Sequence, residues 1–111
     1  MTERSFAYKV IMRRDDLSTV TSMVAYQAPS DQPLRAVIWS VPYREWIFAP
    51  HTVSRILYDD EEQDRGRTVD RATAEQVARD VLRTELPSEA DLTEISDEGE
   101  RNGWNYGPPR G

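Results

Sequence analysis

Alternation of apolar and polar residues predicts two strands at the start of the chain. Within residues 5–13 the larger apolar side chains recur at every second position, at Phe6, Tyr8, Val10 and Met12. This period of two is typical of a strand with two different faces. Residues 18–27 are rich in Thr and Val, which favour a strand over a helix. The polar residues 14–16 suit a turn, so we expect the two strands to pair antiparallel.

Two more strands are predicted before residue 50. Residues 28–33 contain two prolines and form a loop. In residues 35–41 a second alternating set follows at Val37, Trp39 and Val41. Pro42 ends the pairing because it has no N–H to donate, and residues 45–49 return as a fourth strand.

The apolar spacing changes after Pro50. Proline suits the first position of a helix because its φ is fixed near the helical value. Apolar residues then follow at i, i+3 and i+4, at Val53, Ile56 and Leu57. We prefer a helix here, and the competing interpretation is a fifth strand over residues 53–59.

Two amphipathic helices are predicted farther on. Residues 59–68 contain no aliphatic side chain and form a charged loop, after which Asp70 or Thr73 can cap a helix. Its apolar face has the spacing i, i+3, i+4, i+7 and i+8, at Ala74, Val77, Ala78, Val81 and Leu82. A last short helix begins at the cap Ser88 and closes near Gly99.

Strands followed by helices indicate an α+β fold. We expect a four- or five-stranded antiparallel sheet in the N-terminal half, with two to three helices of the C-terminal half packed on one face. Residues 1–98 form a single domain, and residues 99–111 form a Gly/Pro/Asn-rich tail.

The predicted helix-facing residues are Phe6, Tyr8, Val10, Val37, Trp39, Trp46 and Phe48. The opposite face holds Ile11, Met23, Ala25, Ala36, Ile38, Ile47 and Ala49, and, if uncovered, it suggests a partner or a homodimer contact.

Composition excludes several functional classes. The 111 residues include no cysteine, which excludes disulfides, thiolate zinc sites, iron–sulfur clusters and a cysteine nucleophile. No run of apolar residues has the length of a signal peptide or of a membrane span, so a cytoplasmic protein is expected. The five glycines form no phosphate-binding loop, and we expect no cofactor.

The net charge of −6 is distributed unevenly. Residues 1–58 hold 7 basic and 5 acidic side chains, whereas residues 59–100 hold 5 basic and 15 acidic ones. The acidic segment begins with Asp59, Asp60, Glu61, Glu62 and Asp64. Oxygen ligands suit calcium or magnesium, but this spacing is not that of an EF-hand loop. We therefore predict no metal site there and expect a solvated loop or a surface that faces a partner.

His51 is the one histidine in the chain. A base–nucleophile pair with Ser54 or Thr52 is conceivable, but nothing marks the orienting group and the oxyanion site that such catalysis needs. A small hydrolase or ligand-binding protein with His51 in its pocket therefore stays an alternative. We predict no catalytic residue.

Nucleic acid is not the expected partner. Aromatic residues of the first half could stack on bases and its arginines could hold phosphates. These aromatic residues fit a hydrophobic core equally well, and the overall acidity weakens phosphate binding.

The C-terminal tail offers a second candidate contact. Trp104 and Tyr106 stand among Gly, Pro, Asn and Arg residues, and Trp and Tyr are residue types that anchor interfaces. Trp104 could also cover an edge of its own domain.

These patterns favour a small acidic protein that binds or regulates another protein without being an enzyme. Its acidic residues 59–64 and the exposed faces of the two later helices would meet a basic partner surface. Small acidic bacterial inhibitors of the immunity or antitoxin type work in this way, and the comparison is by size and charge alone. A structural subunit that assembles through its sheet is a further alternative.

Overall fold

The computed structural model describes residues 6–13, 15–27, 34–58 and 65–104, except for the side chain of Leu17. Its strands are β1 (Ala7–Arg13), β2 (Asp16–Gln27), β3 (Arg35–Ser40), β4 (Glu45–Phe48) and β5 (Gly66–Val69). Its helices are α1 (Pro50–Tyr58), α2 (Arg71–Val77), which continues as a π-helical turn (Ala78–Leu82), and α3 (Glu89–Asn102).

The five strands form one antiparallel sheet in the order β4-β3-β2-β1-β5. The predicted α+β class and the first four strands are therefore confirmed. The fifth strand lies at residues 66–69, inside and just after the segment expected to be a charged loop. Arg67 and Thr68 are exposed, because β5 is an edge strand that pairs only with β1 among the described strands. Residues 66–69 therefore show no alternation of apolar and polar side chains from which a strand could be predicted.

Each face of the sheet has its own hydrophobic cluster. The larger one joins the sheet to α2, the π-helical turn and α3, and it contains Phe6, Tyr8, Val10, Met12, Met23, Ala25, Val37, Trp39, Ala74, Ala78, Leu82, Leu86 and Leu92. The predicted position of Met23 and Ala25 on the opposite face is wrong. Met23 pairs with Val10 and Ala25 pairs with Tyr8, and residues directly opposite one another in a sheet share a face.

Helix α1 covers part of the other face. Of the two interpretations of residues 50–60, helix or strand, the helix is the right one over Pro50–Tyr58, and residues 59 and 60 lie outside the described residues. The second cluster contains Val53 and Ile56 of α1 together with Ile11, Val24, Ala36, Ile38, Ile47 and Ala49. The helices thus lie on both faces of the sheet, not on one. The premise of a bare apolar face, which suggested a partner or dimer contact, does not hold for five of its predicted members, because all five are buried, namely Ile11, Ala36, Ile38, Ile47 and Ala49.

The π-helical turn changes the face that α2 presents. Of the two predicted caps, Asp70 is the one that caps α2, by accepting a hydrogen bond of 2.8 Å from the backbone N–H of Thr73. The wider turn rotates the residues that follow Val77, so Leu82 is buried while Val81 is 51% exposed. The prediction of Val81 as a core residue is therefore wrong.

Helix α3 is longer than predicted. Ser88 caps it as expected, but the helix continues past Gly99 to Asn102 and ends at Gly103 with a positive φ of 67°, as helix-ending glycines often do. The first four residues of the expected tail are thus helical. No helix within the described residues is both long enough and apolar enough to cross a membrane.

Candidate interaction surface

The acidic charge of the described residues is concentrated on α3. This helix carries six carboxylates and one arginine, at Glu89, Asp91, Glu94, Asp97, Glu98, Glu100 and Arg101. The stretch from Arg71 to Leu82 holds two basic and two acidic residues and is balanced. Of the two later helices, only α3 therefore provides an acidic surface.

The inner side of α3 lets the helix approach the sheet closely. Leu92, Ser96 and Gly99 are buried there. A Cβ atom built on Gly99 would come within 2.7 Å of the Cβ of Phe48 and closer still to its ring. Any larger residue at position 99 would push the helix away from β4. This close contact fixes which side of α3 faces solvent.

Arg35 of β3 holds two of the six carboxylates. Its Nη2 pairs with Asp97 and its Nε lies 3.5 Å from Glu100 Oε1. The arginine side chain is only 14% exposed. Asp97 and Glu100 therefore belong to the attachment of α3 to the sheet, even though both carboxylates reach solvent.

Glu89 holds the beginning of α3 to β1. Its Oε2 accepts hydrogen bonds from the backbone N–H of Phe6 at 3.0 Å and from the hydroxyl of Tyr8 at 3.4 Å. Arg71 Nη1 donates to the same hydroxyl at 2.7 Å. Burial raises the pKa of Tyr8 above its usual value, although Arg71 acts in the opposite direction. A carboxylate in the first turn also suits the partial positive charge of a helix N-terminus.

Three carboxylates of α3 are left for a partner. Asp91, Glu94 and Glu98 are exposed and make no ion pair within the described residues. They lie at i, i+3 and i+7, so they share one side of the helix. A shallow depression of about 330 Å³ beside them is lined by Glu94, Asp97, Glu98 and Arg101. We call Asp91, Glu94 and Glu98 the acidic row.

The sequence-predicted partner residues are only partly described. Asp59, Asp60, Glu61, Glu62, Asp64 and Tyr106 lie outside the described residues. Trp104 follows α3 directly and is partly buried, and its backbone N–H donates to the carbonyl of Gly99 at 2.9 Å. The main chain of Trp104 is thus attached to the end of its own helix.

The alternative site at His51 gains no support from the geometry. His51 is exposed near the start of α1. The Ser54 hydroxyl donates to the main-chain carbonyl of His51 at 2.9 Å, which is not the contact that a nucleophile makes with a base. Tyr8 and Trp39, two of the aromatic residues in the first half of the chain that could have stacked on bases, are 3% and 6% exposed and belong to the core.

Sequence reasoning missed Arg35, Tyr8 and Arg71 as organisers of this surface. Arg35 and Asp97 are 62 positions apart, and Tyr8 and Glu89 are 81 positions apart. No local pattern connects residues at such separations. The one hint in the sequence was Arg35 itself, a charged residue at the beginning of the predicted strand 35–41.

Within the described residues, no group of three or more His, Asp or Glu side chains is placed to hold a metal ion. Comparisons with protein-family models, with curated proteins and with solved structures found no match to this chain. The geometry of the surface is therefore the basis for assigning a function.

Proposed function

We propose that this chain is a small acidic binding protein whose α3 docks on a basic surface of a partner protein. The acidic row carries the proposal. Asp97, Glu100 and Glu89 are engaged with the sheet, whereas Asp91, Glu94 and Glu98 make no ion pair within the described residues.

Rigidity of the helix supports the proposal. Ser88 caps α3 at its start and Gly103 closes it, while Arg35 and the close Gly99–Phe48 contact hold its middle and end. The Cα positions of the three outward carboxylates are thereby held on one side of the helix. A partner with matching arginines or lysines would meet them without any refolding of α3, and complementary charge speeds association and selects partners.

A regulator or inhibitor of the immunity or antitoxin type, acting in the bacterial cytoplasm, is the specific form of this proposal. Such proteins neutralise a basic active surface by covering it. The acidic residues 59–64 would add to the same charge complementarity.

The proposal can be tested with a labelled nona-arginine peptide as the basic probe. We expect fluorescence anisotropy to show binding at low ionic strength that weakens as salt is added, because salt screens exposed charges. The triple variant Asp91→Asn/Glu94→Gln/Glu98→Gln should reduce the affinity about tenfold, which corresponds to about 1.4 kcal/mol.

The matched control is Asp15→Asn/Asp80→Asn/Glu85→Gln. It removes the same number of charges from exposed positions outside α3, and it should bind the peptide nearly as well as the wild type. Equal losses in the two triple variants would mean that net charge alone governs binding, and would contradict a docking surface on α3.

A further inference from the structure

A second exposed surface lies at the other end of the sheet. Four large hydrophobic residues are exposed among those the structure describes, namely Val41, Tyr43, Tyr58 and Val81. Val41 and Tyr43 lie in the turn between β3 and β4, and Val81 lies in the π-helical turn. Arg35, which touches α3, begins β3, and this turn follows the end of the same strand. The turn is therefore remote from the acidic row.

The turn and the end of the π-helical turn are joined through two tryptophans. Trp39 and Trp46 face each other across β3 and β4, with ring centroids 5.5 Å apart. The indole N–H of Trp46 donates to the carbonyl of Glu85 at 3.1 Å. The segment after Leu82 is thus attached to the base of the β3–β4 turn.

The β3–β4 turn is held in a single shape. The backbone N–H of Arg44 donates to the carbonyl of Ser40 at 2.7 Å, and that of Tyr43 reaches the buried hydroxyl of Ser40 at 3.4 Å. Arg44 has a positive φ of 54°, which a residue with a side chain adopts only when its surroundings enforce it. Its guanidinium lies 5.8 Å from the centroid of the Trp39 ring.

Arginines without a carboxylate partner lie on both segments. Within the described residues, Arg44, Arg79 and Arg83 make no ion pair. Arg79 and Arg83 line a depression of about 320 Å³ together with Thr84 and Glu85. Glu85 lines the same depression but forms no ion pair with either arginine. Arg83 also has a positive φ, at 59°.

We infer that this end of the molecule is a docking surface for an acidic protein segment that carries an aromatic or branched apolar side chain. We call it the turn surface, formed by Val41, Tyr43, Arg44, Val81 and Arg83. Tyrosine and arginine are enriched among residues that dominate binding energy. A turn already fixed in shape loses little conformational entropy on binding. The unpaired arginines select carboxylates in the partner.

A phage-displayed library of random peptides, selected on the full-length protein, tests this inference. We expect the enriched peptides to combine acidic residues with an aromatic or branched apolar residue. With a synthetic copy of the best peptide, Tyr43→Ala and Arg83→Gln should each weaken binding about tenfold or more in fluorescence anisotropy.

The matched control is Tyr58→Ala, because Tyr58 is the most exposed of the four hydrophobic residues and lies on α1. It should leave the affinity unchanged.

The inference is overturned if selection enriches no such peptide, or if the enriched peptides bind the Tyr43→Ala and Arg83→Gln variants as tightly as the wild type. It is overturned as well if a labelled single-stranded oligonucleotide binds the same residues more tightly than any selected peptide. Loss of the acidic row should not affect these results, so this outcome is independent of the function proposed for α3.

Discussion

Gly99 of α3 lies directly against Phe48 of β4, with no room between them for a side chain. Glycine is a poor helix former, and replacing it by alanine in an exposed helix would stabilise the helix by about 1 kcal/mol. At this position the added methyl group would overlap the phenyl ring. Because of this clash, we expect the substitution to lower the free energy of unfolding and not to raise it.

We predict that Gly99→Ala lowers the free energy of unfolding by about 1–3 kcal/mol, as overpacking of a core does. Urea unfolding followed by circular dichroism measures this change. Glu98→Ala, at the exposed neighbouring position, should change it by less than about 0.5 kcal/mol. A stabilised Gly99→Ala variant would mean that α3 does not approach β4 this closely.

Two serines of the same helix should respond with opposite signs. The Ser96 hydroxyl is buried and has no hydrogen-bond partner among the residues that the structure describes, and an unsatisfied buried polar group costs about 1–3 kcal/mol. Ser96→Ala should therefore stabilise the protein by about 1 kcal/mol. Ser88→Ala removes the cap that binds the Asp91 N–H and should destabilise by about 1 kcal/mol. Thermal unfolding of both variants checks the pair, and a destabilised Ser96→Ala would show that the hydroxyl is bonded in solution.

Arg35 should matter far more than an exposed arginine. Arg35→Gln removes a side chain that is only 14% exposed and leaves Asp97 and Glu100 without their cation. We expect a loss of about 2 kcal/mol, the order found for charged hydrogen bonds. Both carboxylates are substantially exposed, which keeps the loss below that of a fully buried pair.

Arg13→Gln is the control for Arg35. Arg13 pairs with Asp15 at 3.0 Å, but the two side chains are 54% and 72% exposed. Such a pair contributes about 0–1 kcal/mol. Chemical denaturation should give a clearly larger loss in the free energy of unfolding for Arg35→Gln than for Arg13→Gln. Equal losses would contradict the structural role of Arg35.

Asp16 provides a pH-dependent signal. Hydrogen bonds from the Ser18 and Thr19 hydroxyls, with a further one from the Ser18 backbone, lower the pKa of its carboxyl from 3.8 to about 2. This pKa is depressed in the folded state. The ionised Asp16 carboxyl therefore contributes fully to the stability of the fold above pH 3.8, and this contribution is lost as the pH falls towards about 2. Ser18→Ala/Thr19→Val should raise the pKa towards 3.8, as measured by NMR titration of the Asp16 carboxyl carbon. Ser54→Ala, on α1, should leave the titration unchanged.

The parts of the fold that the sequence predicted are those with local patterns. The alternation around Val10 and Trp39 predicted strands, and the caps at Asp70 and Ser88 predicted helix starts, because these signals involve neighbouring residues. Strand β5 and the exposure of Val81 were missed, since the first depends on pairing with a distant strand and the second on a π-helical turn. The acidity of α3 was visible in the sequence. Which of its carboxylates are engaged by Arg35 or Tyr8 depends on contacts across the whole chain.

The late position of α2 and α3 in the chain has a consequence for folding during synthesis. Strands β1 to β4 pair in chain order and can assemble as soon as they leave the ribosome. The face that carries Trp39 and Phe48 must wait for α2 and α3, the last described elements to be made, and Glu89 closes its contact with Phe6 across 83 positions. Contacts this distant in sequence form slowly, and an exposed apolar sheet face favours aggregation. The strongly charged α3 is thus the last described element to cover this apolar face.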